Sequence, residues 1–211
     1  STAFLLVGHG MQLTLLPLRA ATLGHTDLQI ALGGSAYFGG FIAGCLLAPR
    51  VIARAGHIRS FAVLASAMVS VLLLLGLSGH WLLWSLLRFS IGLFVCGLYT
   101  VIESWLNDQA TAENRGRILS LYTFLVLASM AGGQLLINVA PIASATPFML
   151  LAAVIALSVI PVGMTRRLAP APIESTTSRI RVVFSRSPPA AIGAILAGAV
   201  TGSFWSLGAV F

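Results

Sequence analysis

The sequence predicts an all-α integral membrane fold: a bundle of six spanning helices, a basic linker, and a seventh span that opens a second bundle. Three observations predict it. Of 211 residues, 58% are hydrophobic and 8% charged, against about 25% charged in an ordinary soluble domain. Apolar runs recur along the chain at the length of roughly 20 residues that crosses about 30 Å of hydrocarbon at 1.5 Å per residue. The arginines gather in alternate gaps between those runs.

The runs fall at about residues 3–23, 28–49, 60–79, 81–105, 117–139, 147–165 and 190–211. The first closes at Gly24 to Asp27, a glycine and polar turn. The second ends in the basic stretch Arg50 to Arg59, and the third in Ser78 to His80, too short for anything but a tight hairpin. The fourth gives way to the polar segment Asn107 to Arg117, and the fifth to Pro141 to Thr146. The sixth is followed by Arg166 to Pro189, which carries Pro170, Pro172, Pro188 and Pro189 with a Ser/Thr tract and suits a flexible linker. The predicted organisation is therefore a bundle over 1–165, a linker over 166–189 and a seventh span over 190–211. That last run stops at Phe211 without a terminal loop, as in a chain cut inside or just after its seventh span. The opening is apolar by Ala3, with no charged region ahead of it, and does not support a signal peptide.

All 12 basic residues are arginine, and the net charge is +7. Arg50, Arg54 and Arg59 follow the second run, Arg115 and Arg117 the fourth, and Arg166, Arg167, Arg179, Arg181 and Arg186 the sixth. The positive-inside rule puts these gaps in the cytoplasm and sends the odd-numbered helices outward. Nucleic-acid binding is a poor reading, since it needs basic residues clustered with aromatics on one wet face. Cys45 and Cys96 lie inside apolar runs and read as small buried hydrophobes. No nucleophile elbow, phosphate-binding loop or His/Cys grouping at metal spacing is present, so enzyme chemistry, a metal and a cofactor are not expected.

Polar side chains in lipid are costly and face a bundle interior or a watery cavity. The third and sixth runs contain no charge, amide or histidine and should face lipid. On the fourth, Arg88, Gly92, Tyr99 and Glu103 share one face at 100° per residue. On the fifth, Ser120, Thr123, Gln134 and Asn138 do so, and on the first, His9, Gln12 and Arg19. Three stripes facing one space imply a cavity. Gly33, Tyr37, Gly40 and Gly44 line one side of the second helix, and Gly40-x-x-x-Gly44 has the spacing of close helix approach, in either a moving interface or static packing.

Arg88 lies roughly 9 Å inside the fourth helix, where a guanidinium needs a carboxylate, a carbonyl or water. It reads either as a functional charge or as a structural one tied to backbone. Glu103 is about 22 Å away along the axis, too far for a direct pair, and a loop arginine is its expected partner. Arg19 sits near the outer end of the first helix, where snorkelling is expected. His9 could change protonation near neutral pH or simply be hydrogen-bonded packing. Gln134 and Asn138 could orient a solute or hold their helix to a neighbour.

Six spans in two groups of three before a long basic linker resemble half of a major facilitator superfamily transporter. Ala53-Arg54-Ala55-Gly56-His57-Ile58-Arg59 is similar to the family's signature loop, with Arg54, Gly56 and Arg59 at its basic and glycine positions. Ala53 stands where an aspartate is usual, and Pro49 where a glycine is usual. Arg88 with Gly92 fits the Arg-x-x-x-Gly pattern of the fourth helix, where the resemblance implies proton coupling. Gly132-Gly133 lacks the Gly-Pro marker of drug/proton antiporters. Glu103-Ser104-Trp105-Leu106-Asn107-Asp108 with Glu113-Asn114-Arg115-Gly116-Arg117 is most similar to the YcaD-type branch, joined by Ser35 to Gly39 and Gly132 to Leu136.

The resemblance implies two inverted three-helix repeats and a multi-pass protein of the bacterial inner membrane with a cytoplasmic linker. It implies alternating-access transport of a small solute, with proton coupling as an option, and a C-terminal half as partner. Arg88, His9, Gln12, Tyr37, Tyr99, Gln134 and Asn138 are the candidate cavity residues. Arg54, Gly56, Arg59, Glu103, Asp108 and Arg115 are the candidate cytoplasmic gate. Gly33, Gly40, Gly44 and Gly92 are the candidate packing positions. The rival readings are a non-transporting scaffold or sensor, a channel, and an inactive transporter fragment.

Overall fold

The computed structural model describes residues 1–164 and 187–207. Its helices are α1 Thr2–Thr22, α2 Asp27–Ala55, α3 His57–Leu77, α4 Trp81–Gln109, α5 Arg115–Leu135, α6 Thr146–Gly163 and α7 Pro188–Leu207, with a 3-10 turn, Leu136–Val139, continuing α5. No strand occurs among the described residues. Most of the expected linker, with its five arginines, lies outside them, as do 208–211.

Among the described residues, five helices, α2 to α6, are long and apolar enough to cross a membrane. Although α1 has the length at 21 residues, His9, Gln12 and Arg19 dilute its apolar content. Its burial explains how it tolerates them: Leu5, Leu6, Met11, Leu15 and Leu16 are all within the core, and the polar groups face protein rather than lipid.

Two helices run further than the sequence suggests. α2 begins with a capping box, in which the Thr26 hydroxyl accepts from the Gln29 backbone N–H at 3.4 Å and the Gln29 side-chain Oε1 accepts from the Thr26 N–H at 2.9 Å. It then continues past Pro49 to Ala55. Pro49 removes one donor, a loss that spanning helices tolerate, and Arg50 Nη1 donates to the Leu46 carbonyl at 2.9 Å. The expected ten-residue connection is therefore one residue, Gly56, at φ 78° and ψ 165°. Arg54 rides the last turn of α2, and Arg59 the first turn of α3. Likewise α4 carries Asp108 within helix, rather than in a loop after residue 105.

The helices pack chiefly as α2 on α4, α1 on α5 and α3 on α6, with α3 also against α4 and α6 against α1. Glycines set the first two pairings. A Cβ on Gly40 would collide with the Phe89 carbonyl oxygen, and one on Gly92 with the Tyr37 carbonyl oxygen. In the other pair, a Cβ on Gly10 would collide with the Met130 backbone, and one on Gly133 with the Val7 carbonyl oxygen. Each glycine thus meets the residue three places before its opposite number. Matching α1 with α4 and α2 with α5 makes the two contacts equivalent, as two three-helix repeats of opposite orientation require. Gly44 also packs tightly, its Cβ position 2.7 Å from the Leu93 carbonyl oxygen, whereas that of Gly33 has ordinary clearance, 3.4 Å from Arg88 Cδ.

Outward, α3 shows Val63, Leu73 and Leu74, and α6 shows Met149, Leu157 and Ile160. α5 buries only Ser129 and Gly133, so it is held along its α1 seam and is open elsewhere.

Candidate functional site

Helical periodicity builds the principal cavity. Tyr37, Phe38, Phe41 and Cys45 lie on one face of α2, and Cys96, Tyr99, Thr100 and Glu103 on one face of α4. His9 and Leu13 of α1 and Met130 of α5 complete a space of about 360 Å³. This volume is within the roughly 300–1,000 Å³ of small-molecule sites.

Several polar groups on its wall already have partners. Thr100 Oγ1 donates to the Cys96 carbonyl at 2.8 Å. Gln12 Nε2 lies 2.8 Å from His9 Nδ1; with the amide donating, the neutral imidazole carries its proton on Nε2. The His9 ring meets Tyr99 edge to face at 5.7 Å. Gln12 Oε1 is buried without a hydrogen bond. The two thiols, both free, approach to 3.0 Å across the α2–α4 seam. Glu103 brings a carboxylate to the cavity and takes a hydrogen bond at 3.4 Å from the Tyr122 hydroxyl. That tyrosine, rather than the expected loop arginine, is its partner.

Of the seven cavity candidates, the structure gathers His9, Tyr37 and Tyr99 on this wall, with Gln12 behind His9. Arg88 is elsewhere. It is buried, donates from Nε to the Gly33 carbonyl at 3.1 Å, and lies with its guanidinium carbon 6.0 Å from the Tyr37 ring centroid. It borders a separate space of only about 10 Å³ beside His25, Gln29, Trp81 and Trp84. Gln134 is half-buried and off the wall, and Asn138 is exposed in the 3-10 turn. Arg19 donates to the Ile142 carbonyl at 3.3 Å and also to that of Ala143, so it ties α1 to the connection before α6.

At the Gly56 end, Arg54, Arg59, Asp108 and Arg115 are all exposed. The contact that joins α3 to α4 there is neutral: His57 and Ser104 side chains meet at 3.0 Å, with Trp105 against the imidazole. Sequence reasoning passed over His57 and Tyr122. It also passed over Phe38, Phe41 and Met130, because a search for polar stripes cannot find an aromatic wall.

The family model of the Major Facilitator Superfamily matches residues 1–211. Among curated proteins, the chain is 30% identical over 197 residues to the "Uncharacterized MFS-type transporter YcaD" of Escherichia fergusonii, covering 92% of this chain and 51% of that one. It is 32% identical over 128 residues to the "Uncharacterized MFS-type transporter Ent638_1421" of Enterobacter sp. (strain 638), covering 61% and 34%. The YcaD protein of Escherichia coli O45:K1 is 33% identical over 129 residues, covering 59% and 33%. The chain therefore spans about half or less of the length of these relatives. No solved structure matches.

Proposed function

Since the chain belongs to the Major Facilitator Superfamily, we propose that it supplies the first bundle of a secondary transporter that moves a small solute by alternating access. Its relatives are named as transporters, and it is a multi-pass membrane protein rather than an enzyme. The observation that carries the reading is the 360 Å³ cavity at the meeting of α1, α2, α4 and α5, built by the two glycine-locked helix pairs.

In this reading residues 1–165 form the bundle, 166–189 the cytoplasmic linker, and α7 the start of a second bundle that closes the cavity. The arginine distribution supports a plasma-membrane orientation with the Gly56 end in the cytoplasm. Arg54, Arg59, Glu103, Asp108 and Arg115 cluster at that end as the gate, with Gly56 as its fixed corner. Arg88 is the coupling candidate: its buried guanidinium is held by the Gly33 carbonyl, so its charge is sensitive to any change in its surroundings. His9, Gln12, Tyr37 and Tyr99 contact or support the solute, while Gln134 of α5 and Asn138 of the following 3-10 turn serve the face turned to the second bundle.

The test uses the full-length protein with Cys45 and Cys96 replaced by serine and spin labels at position 54 and on the cytoplasmic end of the second bundle. Alternating access predicts two distance populations whose ratio shifts with pH or solute. One narrow distance, unchanged under every condition, refutes it.

A further inference from the structure

We infer that the solute held in the α1–α2–α4–α5 cavity is an organic cation with apolar bulk. The inference rests on the transport reading and names its substrate class. Among the described residues, Glu103 is the carboxylate of the cavity wall and no arginine borders it. The buried arginine nearby, Arg88, donates to the Gly33 carbonyl, has its guanidinium carbon 6.0 Å from the Tyr37 ring centroid and borders a different, far smaller space. An anion in the cavity would meet a carboxylate and the negative faces of aromatic rings.

The rings themselves are arranged to receive a cation. Tyr37 and Phe38 stand edge to face, 5.1 Å apart at 85°, and Tyr37 and Phe41 lie 6.4 Å apart at 44°. These three α2 rings present non-parallel walls, and Tyr99 faces them from α4. An ammonium or phosphonium among such rings is attracted by their quadrupoles, most strongly where water is excluded. Glu103 closes one end of this aromatic corner. Tyr122 occupies Oε1 of Glu103 and leaves its second oxygen for the ligand.

The donor set argues against an inorganic cation. Calcium or magnesium takes six or more oxygen ligands, and this wall offers one carboxylate, two tyrosine hydroxyls and the Thr100 hydroxyl, which already donates to the Cys96 carbonyl. No grouping of three or more His, Cys, Asp or Glu suited to a metal occurs among the described residues. A bulky organic cation instead needs apolar area, one counter-charge and a volume of this order.

The experiment measures equilibrium binding to the full-length protein in lipid nanodiscs, subtracting empty discs, with two probes of the same shape and opposite charge: tetraphenylphosphonium and tetraphenylborate. The expected result is saturable binding of the phosphonium and none of the borate. Glu103→Gln should weaken the phosphonium by about tenfold or more, and Glu103→Asp, a folding control that keeps the charge, should recover most of the affinity. Saturable binding of the borate, absence of saturable phosphonium binding, or full phosphonium affinity in Glu103→Gln overturns the inference. The spin-label distances separate it from the transport reading: two populations without phosphonium binding remove only the substrate class, whereas one fixed distance removes transport whatever binds.

Discussion

Two adjacent glycines of α5 should respond oppositely to the same substitution. A methyl group on Gly133 would collide with the Val7 carbonyl oxygen and lie 2.8 Å from the Met11 nitrogen and 3.0 Å from the Val7 carbonyl carbon. All three are backbone atoms of α1, with no rotamer to yield, so relief requires α5 to move off its main neighbour. Overpacking of this kind costs about 1–3 kcal/mol. A methyl group on Gly132 meets nothing within 4 Å. Both variants gain the ~1 kcal/mol by which alanine exceeds glycine in a helix. That gain cancels between them, leaving Gly133→Ala less stable than Gly132→Ala by about 2 kcal/mol, or roughly 30-fold in the folding equilibrium. Reversible unfolding in mixed dodecyl-sulfate micelles, followed by circular dichroism, measures the difference. Equal stabilities, or a more stable Gly133→Ala, would refute the backbone contact between α1 and α5.

Gly56→Ala should cost about 1–3 kcal/mol, because φ 78° with ψ 165° is a region that essentially only glycine occupies; nothing within 4 Å obstructs the added methyl, so an unchanged melting temperature would mean that the corner between α2 and α3 is not built this way. Mild oxidation with copper phenanthroline should join Cys45 to Cys96, whose sulfurs lie 3.0 Å apart, and non-reducing peptide mapping should recover the linked α2 and α4 peptides. Their absence would show a different register between those helices.

Helix number and order were legible because spanning segments need length and apolarity and little else. Boundaries were less so. Pro49 and the arginines after it look like a stop, yet in a spanning helix neither a missing donor nor a basic side chain at the rim ends the ladder, and α2 runs on to Ala55. The α2 side of the Gly40 and Gly92 contact was readable as the Gly40-x-x-x-Gly44 spacing, though not which helix it meets. Its counterpart at Gly10 and Gly133 was not, since Gly8-His9-Gly10 offers no such spacing and only the fold reveals which helix it meets. The cavity was half visible: His9, Tyr37 and Tyr99 announce themselves by polarity, whereas Phe38, Phe41 and Met130 look like any lipid-facing residue. The α5 stripe failed for a local reason. Thr123 turns its hydroxyl to the Leu119 carbonyl at 2.9 Å, and Asn138 leaves the helix in the 3-10 turn.

The reciprocal glycine contacts also decide where this bundle can bend. Backbone laid directly on backbone has no side chains between to reshuffle, so α1 with α5, and α2 with α4, each behave as a two-stranded plank with no give across its seam. Flexure is left to the joint between the planks, and the ring-lined space occupies that joint. A molecule lodged there works as a wedge: its own bulk sets the angle between the two planks. On the transport reading, recognition of the solute and the geometry of the gate are then a single mechanical variable.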